Sequence, residues 1–176
     1  MNMKPPNDFR KPQIAHILFA TDLSENANQA FGYAVSLAES CRADITVLHV
    51  FDKLPPNTEL LLVAFLGYGD VTEMRGKSET DLIDRIRSSI TQFCTLAAEQ
   101  VPTCPLLLRE VIVETGNPAD RILFHAETGT YDMLVMGNKG MGLIQSALMG
   151  SISRKVLKDS PIPVLVVPMP EAVGNK

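Results

Sequence analysis

Two apolar runs of strand length, Ile14–Ala20 and Ile45–Val50, stand on either side of a single amphipathic stretch, and this spacing constrains the fold more than any other feature. One helix and two short loops between them make a crossover connection, which places the two strands parallel. The first run is interrupted only by His16 and reads as a strand buried on both faces. In the intervening stretch Ala27, Ala30, Phe31, Ala34, Leu37, Ala38 and Cys41 recur at helical spacing, with Ser24 at the N-cap position and Glu25 in the first turn.

The same alternation continues. A long helix is expected from about Ser78 to Gln100, with Leu82, Ile83, Ile86, Ile90, Phe93 and Ala97 on one face and Pro102 and Pro105 ending it. Leu106–Val113 is the third expected strand, and the Arg109-Glu110 pair inside it points to a sheet edge. Thr115-Gly116-Asn117-Pro118 then turns into a helix, with Asn117 as N-cap, Pro118 at the first helical position, Ala119, Ile122, Leu123 and Ala126 facing the core, and Gly129 as the stop. Met133–Met136 reads as a fourth strand, residues 151–158 as a helix, and Val164–Val167 as a last strand. The prolines around that strand, Pro161, Pro163 and Pro168, are tolerated at an edge but not at a sheet centre. Five strands alternating with four helices give an α/β fold, an open parallel sheet with helices on both faces. The pattern weakens between Phe51 and Lys77, where Pro55-Pro56 and several glycines surround the apolar run Leu60–Leu66, and this segment reads as an excursion whose centre is a turn packed on the core or, alternatively, a short helix, a lid or a partner contact.

At 176 residues the chain has room for one domain with a substantial core, expected over residues 14–168 between an extension at 1–13 and a tail at 169–176. A net charge of −4 argues against nucleic acid as a partner, because duplex binding needs a basic face to displace counterions. The N-terminal residues carry no apolar core of signal-peptide length and Leu60–Leu66 is too short to span a bilayer, so a cytoplasmic protein without a membrane partner is expected. Cys41, Cys94 and Cys104 form no CxxC pair and read as reduced thiols, the first two as small core residues. His16, His49 and His125 lack paired-ligand spacing and read as core or surface histidines.

In an open parallel sheet, ligands sit beyond the carboxyl ends of the strands where strand order reverses. Four segments should converge there: Thr21-Asp22-Leu23-Ser24, Val50-Phe51, Thr115-Gly116 and Gly137-Asn138-Lys139-Gly140. The last continues through nine residues to Gly150-Ser151, which opens a helix. Glycines let backbone N–H groups approach an anion closely, and a helix N-terminus adds partial positive charge. A GxxG pair alone would be an ordinary turn; placed between a strand and a helix it reads as an anion cradle. The chain has no GxxxxGK[ST], and Gln145 breaks a GxGxxG reading of Gly140-Met141-Gly142, so P-loop ATPase and dinucleotide-dehydrogenase functions lose most of their support.

The spacing Gly137-x2-Gly140-x9-Gly150-Ser151, together with Ala20-Thr21-Asp22-Leu23-Ser24, resembles the universal stress protein family. Val47-Leu48-His49-Val50, Gly116-Asn117-Pro118-Ala119, the run Tyr131 to Gly137 and the run Pro161 to Pro168 carry the resemblance along residues 14 to 168. It implies a flavodoxin-like or HUP-type sheet of order 3-2-1-4-5, the ATP-binding branch of the family, and a homodimer formed through Val164–Val167. It further implies that Asp22 binds the ribose or adenine side, that Val50 offers its backbone to adenine and that Met136 and Gly137 flank the nucleotide. Gly140 and Gly150 would admit the phosphates, Ser151 would donate its hydroxyl and N–H to them, and Ile152 would follow as a backbone contact. Lys139 offers a point charge, although many relatives carry Ser-His or Ser-Arg at residues 138–139 and a basic residue where this chain has Met141.

The resulting expectation is an ATP-binding (or ADP- or AMP-binding) stress regulator, with or without Mg²⁺, acting through nucleotide-dependent shape or a regulatory protein partner. A slow hydrolase or phosphotransferase using the same site, and an interaction module whose glycines are structural, are the alternatives. A hydrolase needs a positioned base, and the sequence presents no convincing set; Asp22 and Ser24 offer only a weak metal arrangement.

Overall fold

The structure is a computed structural model that describes residues 11–51, 84, 87–88, 90–92, 107–138 and 149–168. Five strands form one parallel sheet: β1 (His16–Thr21), β2 (Asp44–Phe51), β3 (Leu108–Thr115), β4 (Met133–Gly137) and β5 (Val164–Val167). The order is β3-β2-β1-β4-β5, as expected, so the order reverses between β1 and β4. Three helices are described in full, α1 (Glu25–Cys41), α2 (Pro118–Thr128) and α3 (Ser151–Asp159). Asp84, Arg87, Ser88, Ile90, Thr91 and Gln92 are also helical, within the span expected for the long helix. The excursion with Leu60–Leu66, Cys94, Cys104, Lys139 and Gly140 lie outside the described residues.

Alternation along the central strands sorts side chains to two faces. Ile17 and Phe19 of β1, with Ile45 and Val47 of β2, join Ala30, Phe31, Ala34, Val35 and Ala38 of α1 and the buried Ile90 in one cluster. Phe19 and Phe31 pack at 5.3 Å between ring centroids, tilted by 49°. Leu18 and Ala20 point the other way, to a second cluster with Leu48 and Val50 of β2, Leu134 and Met136 of β4, Ala119 and Ile122 of α2, and Val156 of α3. The sheet is therefore covered on both sides, which is what its uninterrupted apolar strands require.

Cys41 departs from expectation: it is exposed, not part of the core. The buried stripe of α1 ends at Ala38, and Arg42 takes the left-handed conformation (φ 58°), turning the chain so that Ala43 is covered instead. β3 starts and ends two residues later than the apolar run Leu106–Val113, because ladder pairing sets its limits. Val111 to Thr115 pair with Val47 to Phe51, and the register shifts next to Ile45 and Thr46. Its exposed Arg109 and Glu110 lie at the sheet edge, as expected.

Asn117 caps α2 as the sequence predicts, its Oδ1 accepting the Asp120 N–H at 3.1 Å, with Pro118 following and Gly129 ending the helix. Ser24 occupies the N-cap of α1 but makes no side-chain cap bond; its hydroxyl donates to Asp22 Oδ1 at 2.7 Å. At the amino ends of the strands, Asp132 accepts the Ala15 and His16 N–H groups at 2.8 and 2.9 Å, which holds its carboxyl below the usual range.

Candidate functional site

A cavity of about 340 Å³ opens beyond the carboxyl ends of β1 and β4, where the strand order reverses. Of the residues expected to form a site, Asp22, Val50, Met136, Gly137, Gly150, Ser151 and Ile152 all line it.

One wall is apolar. Leu48 and Val50 are two apart on β2 and so present the same face; Ala20 and Met136 come from β1 and β4, and Ile122 stands one turn after Pro118 on α2. The polar part of the lining is made of strand and helix ends: Thr21, Asp22, Gly137, Gly150 and Ser151. Ala20, Leu48, Pro118, Ile122 and Ser153 also line the cavity but are not among the site residues expected from the sequence. For Leu48 the signal is present, since a residue two before Val50 must share its side of the sheet. For Ile122 it is indistinguishable from that of any core position on the helix.

The loop between β1 and α1 is tightly determined. Leu23 holds a left-handed backbone (φ 63°), uncommon for a branched side chain, and its N–H donates to Thr21 Oγ1 at 3.0 Å. Asp22 Oδ1 accepts from the Ser24 N–H at 3.1 Å as well as from the Ser24 hydroxyl, so the carboxylate is oriented by its own turn. From β2 the buried His49 reaches the Thr21 carbonyl with Nδ1 at 2.9 Å. Burial pushes this imidazole below its ordinary pKa, against the raising effects of that hydrogen bond and of Asp22.

The two ends of the glycine-rich segment are tied together. The Gly150 N–H donates to the Asn138 carbonyl at 2.8 Å, the Asn138 N–H donates to Val167 at 2.8 Å, and the Ser153 hydroxyl donates to the Gly137 carbonyl at 2.9 Å. Gly150 is the N-cap of α3, so the N–H groups of its first turn lie at the cavity rim without intrahelical acceptors. That turn has no acidic residue, and Arg154 and Lys155 follow closely, so the helix end favours an anion. Lys155 also bonds Asp120 of α2 at 2.5 Å, joining the two helices that flank the cavity. Among the described residues no group of three His, Cys, Asp or Glu side chains forms a metal-binding cluster. Chemically, the cavity can take a flat apolar group against β2, β4 and α2, a hydroxyl near Asp22, and an anion at the start of α3.

Comparison with known proteins agrees with this geometry. The family model described as "Universal stress protein family" matches residues 13–168. A universal stress protein of Thermus aquaticus, encoded in the QAH/OAS sulfhydrylase 3′ region, is 30% identical over 151 residues, covering 86% of this chain and 96% of the relative. Two solved structures share the fold. A universal stress protein in complex with cAMP superposes with a TM-score of 0.59 at 19% identity, covering 89% of this chain and 98% of the other. A universal stress protein family protein from Arabidopsis thaliana with AMP bound gives 0.57 at 19% identity, covering 90% and 93%. With the family model spanning all five strands and both sides of the cavity, this chain belongs to the universal stress protein family.

Proposed function

We propose that the protein binds an adenine nucleotide in this cavity and acts as a stress-response regulator through nucleotide-dependent conformation or partner binding. The observation that carries the reading is the pairing, in one cavity, of an apolar wall from β2, β4 and α2 with the Gly150–Ser151 start of α3. The base packs on Val50 and Met136, Asp22 accepts from the ribose or the base, and the phosphates meet the backbone at Gly137 and Gly150, the Ser151 hydroxyl and the Ile152 N–H. Lys139 and Gly140 complete the phosphate end in this reading. The AMP and cAMP held by proteins of the same fold support an adenine nucleotide as the ligand class. ATP, with or without Mg²⁺, is the ligand proposed here, because a cradle at the helix start rewards a polyphosphate most. In this reading the protein works in the cytoplasm as a homodimer through β5, signals to a regulatory protein partner, and turns ATP over slowly or not at all.

The test is to purify the protein, extract it for bound nucleotide, and titrate it calorimetrically with ATP, ADP, AMP and adenosine. Recovery of adenine nucleotide and tighter binding of ATP than adenosine are expected. A protein that carries no nucleotide and binds none of the four is an interaction module with structural glycines. Phosphate release on the order of 1 s⁻¹ under single-turnover conditions with Mg²⁺ would make it an enzyme instead.

A further inference from the structure

We propose that His49 is a positioning residue, holding the β1–α1 loop so that Asp22 is presented to the cavity; the inference rests on the nucleotide-site reading above. His49 lies in β2 directly beside Thr21 in the parallel ladder. Its ring is buried, at 6% exposure, and Nδ1 is 2.9 Å from the Thr21 carbonyl. A carbonyl oxygen only accepts, so Nδ1 carries the proton in this contact. An apolar residue would fill the same place in the core without the cost of burying an imidazole, and β2 is otherwise apolar from Ile45 to Val50 except for Thr46. The polar ring therefore needs an account, and the carbonyl it meets supplies one.

Thr21 is the last residue of β1, and the next residue is Asp22. From there the chain enters the left-handed turn at Leu23, a conformation that persists in a non-glycine residue only when its surroundings over-determine it. The Thr21 Oγ1, Ser24 N–H and Ser24 hydroxyl bonds shape this turn from within. The His49 bond comes from the neighbouring strand and so fixes the turn relative to the sheet. Because the next residue of β2, Val50, lines the cavity, one strand both lines the site and locates a carboxylate that lines it too.

Two isopolar variants test this. In His49→Asn the amide nitrogen stands where Nδ1 stands and can still donate to Thr21, whereas in His49→Gln it moves out toward the Nε2 position. Adenosine titration should show His49→Asn within about threefold of wild type and His49→Gln weaker by about tenfold, the worth of roughly one hydrogen bond. A second readout needs no ligand: amide hydrogen exchange at Leu23 and Ser24 should quicken in His49→Gln and stay near wild type in His49→Asn. Wild type that fails to bind adenosine or ATP, with exchange still split between the variants, overturns the nucleotide reading but leaves His49 as the loop's anchor. Equal affinity and equal exchange in both variants, or failure of both to fold, overturns the positioning role.

Discussion

The Ser153 hydroxyl donates to the carbonyl of Gly137 at 2.9 Å, tying the first turn of α3 to the last residue of β4. Ser153 is buried, at 4% exposure, and faces the cavity, so this bond sets the separation of the glycine-bearing elements. Replacing it with alanine leaves a part-buried carbonyl without that donor. Ser153→Ala should lower stability by about 1–3 kcal/mol in urea denaturation and weaken ATP binding more than adenosine binding. Unchanged stability and unchanged selectivity would show that the tie is incidental.

The phosphate end can be separated from folding at Gly150. Its backbone (φ −66°, ψ 156°) is open to any residue, and aspartate is a favoured N-cap, so Gly150→Asp should fold. A carboxylate at that place repels phosphate and occupies its approach. ATP binding should be abolished in calorimetric titration, while circular dichroism matches wild type. Ser151→Ala should cost about 1–3 kcal/mol for ATP, one charge-assisted hydrogen bond, with adenosine nearly indifferent. Asp22→Ala should weaken both ligands. A folded Gly150→Asp protein with wild-type ATP affinity would falsify the cradle.

Glu114 makes acid stability predictable. Burial alone would raise its carboxyl pKa, but hydrogen bonds from Arg121 at 2.7 Å and from His125 at 3.0 Å outweigh burial and hold it below its ordinary value of 4.5. A depressed carboxyl contributes stability that is fully present above 4.5 and lost as pH falls through the lower folded value. Glu114→Gln should therefore cost stability at neutral pH, about 1–2 kcal/mol given that Arg121 is one-third exposed, and flatten the acid limb below pH 4.5. Denaturation at a series of pH values measures both effects. An acid limb as steep in the variant as in wild type would assign it to other carboxylates.

β5 pairs with β4 on one side and lies at the sheet edge. An apolar edge strand is a template for pairing with another chain, and a two-fold copy of itself would cover it. Light scattering should give a dimer at micromolar concentration, and Val166→Pro should convert it to monomer by removing a ladder donor. A wild-type monomer, or a dimer indifferent to the proline, rules this interface out.

Most of the architecture was legible in local patterns, because a helix or strand that buries one face must repeat apolar residues at its own period. The Ala30–Ala34–Ala38 stripe of α1, the Asn117-Pro118 start of α2 and the proline-bounded β5 are of this kind. Gly137, Gly150 and Ser151 were legible because glycine and serine between a strand and a helix have few other uses, and all three reach the cavity. What the pattern could not carry is the choice of hydrogen-bond partner and the reach of the sheet beneath each helix. Ser24 looks like a helix cap, yet its hydroxyl accepts no helix N–H and instead donates to Asp22, while the Ala27 N–H goes to the Ser24 carbonyl, a choice made by the loop's geometry. Cys41 continues the helical stripe, but the stripe outruns the sheet beneath it and the residue meets solvent. Ser153 stands in no motif, and the Val47-Leu48-His49-Val50 run does not reveal what His49 bonds: each is a polar group in an apolar setting that meets a carbonyl which only the packed sheet brings within 3 Å. Periodicity is a property of neighbours in the chain, whereas a buried hydrogen bond is a property of neighbours in space, and the site's alignment depends on the second.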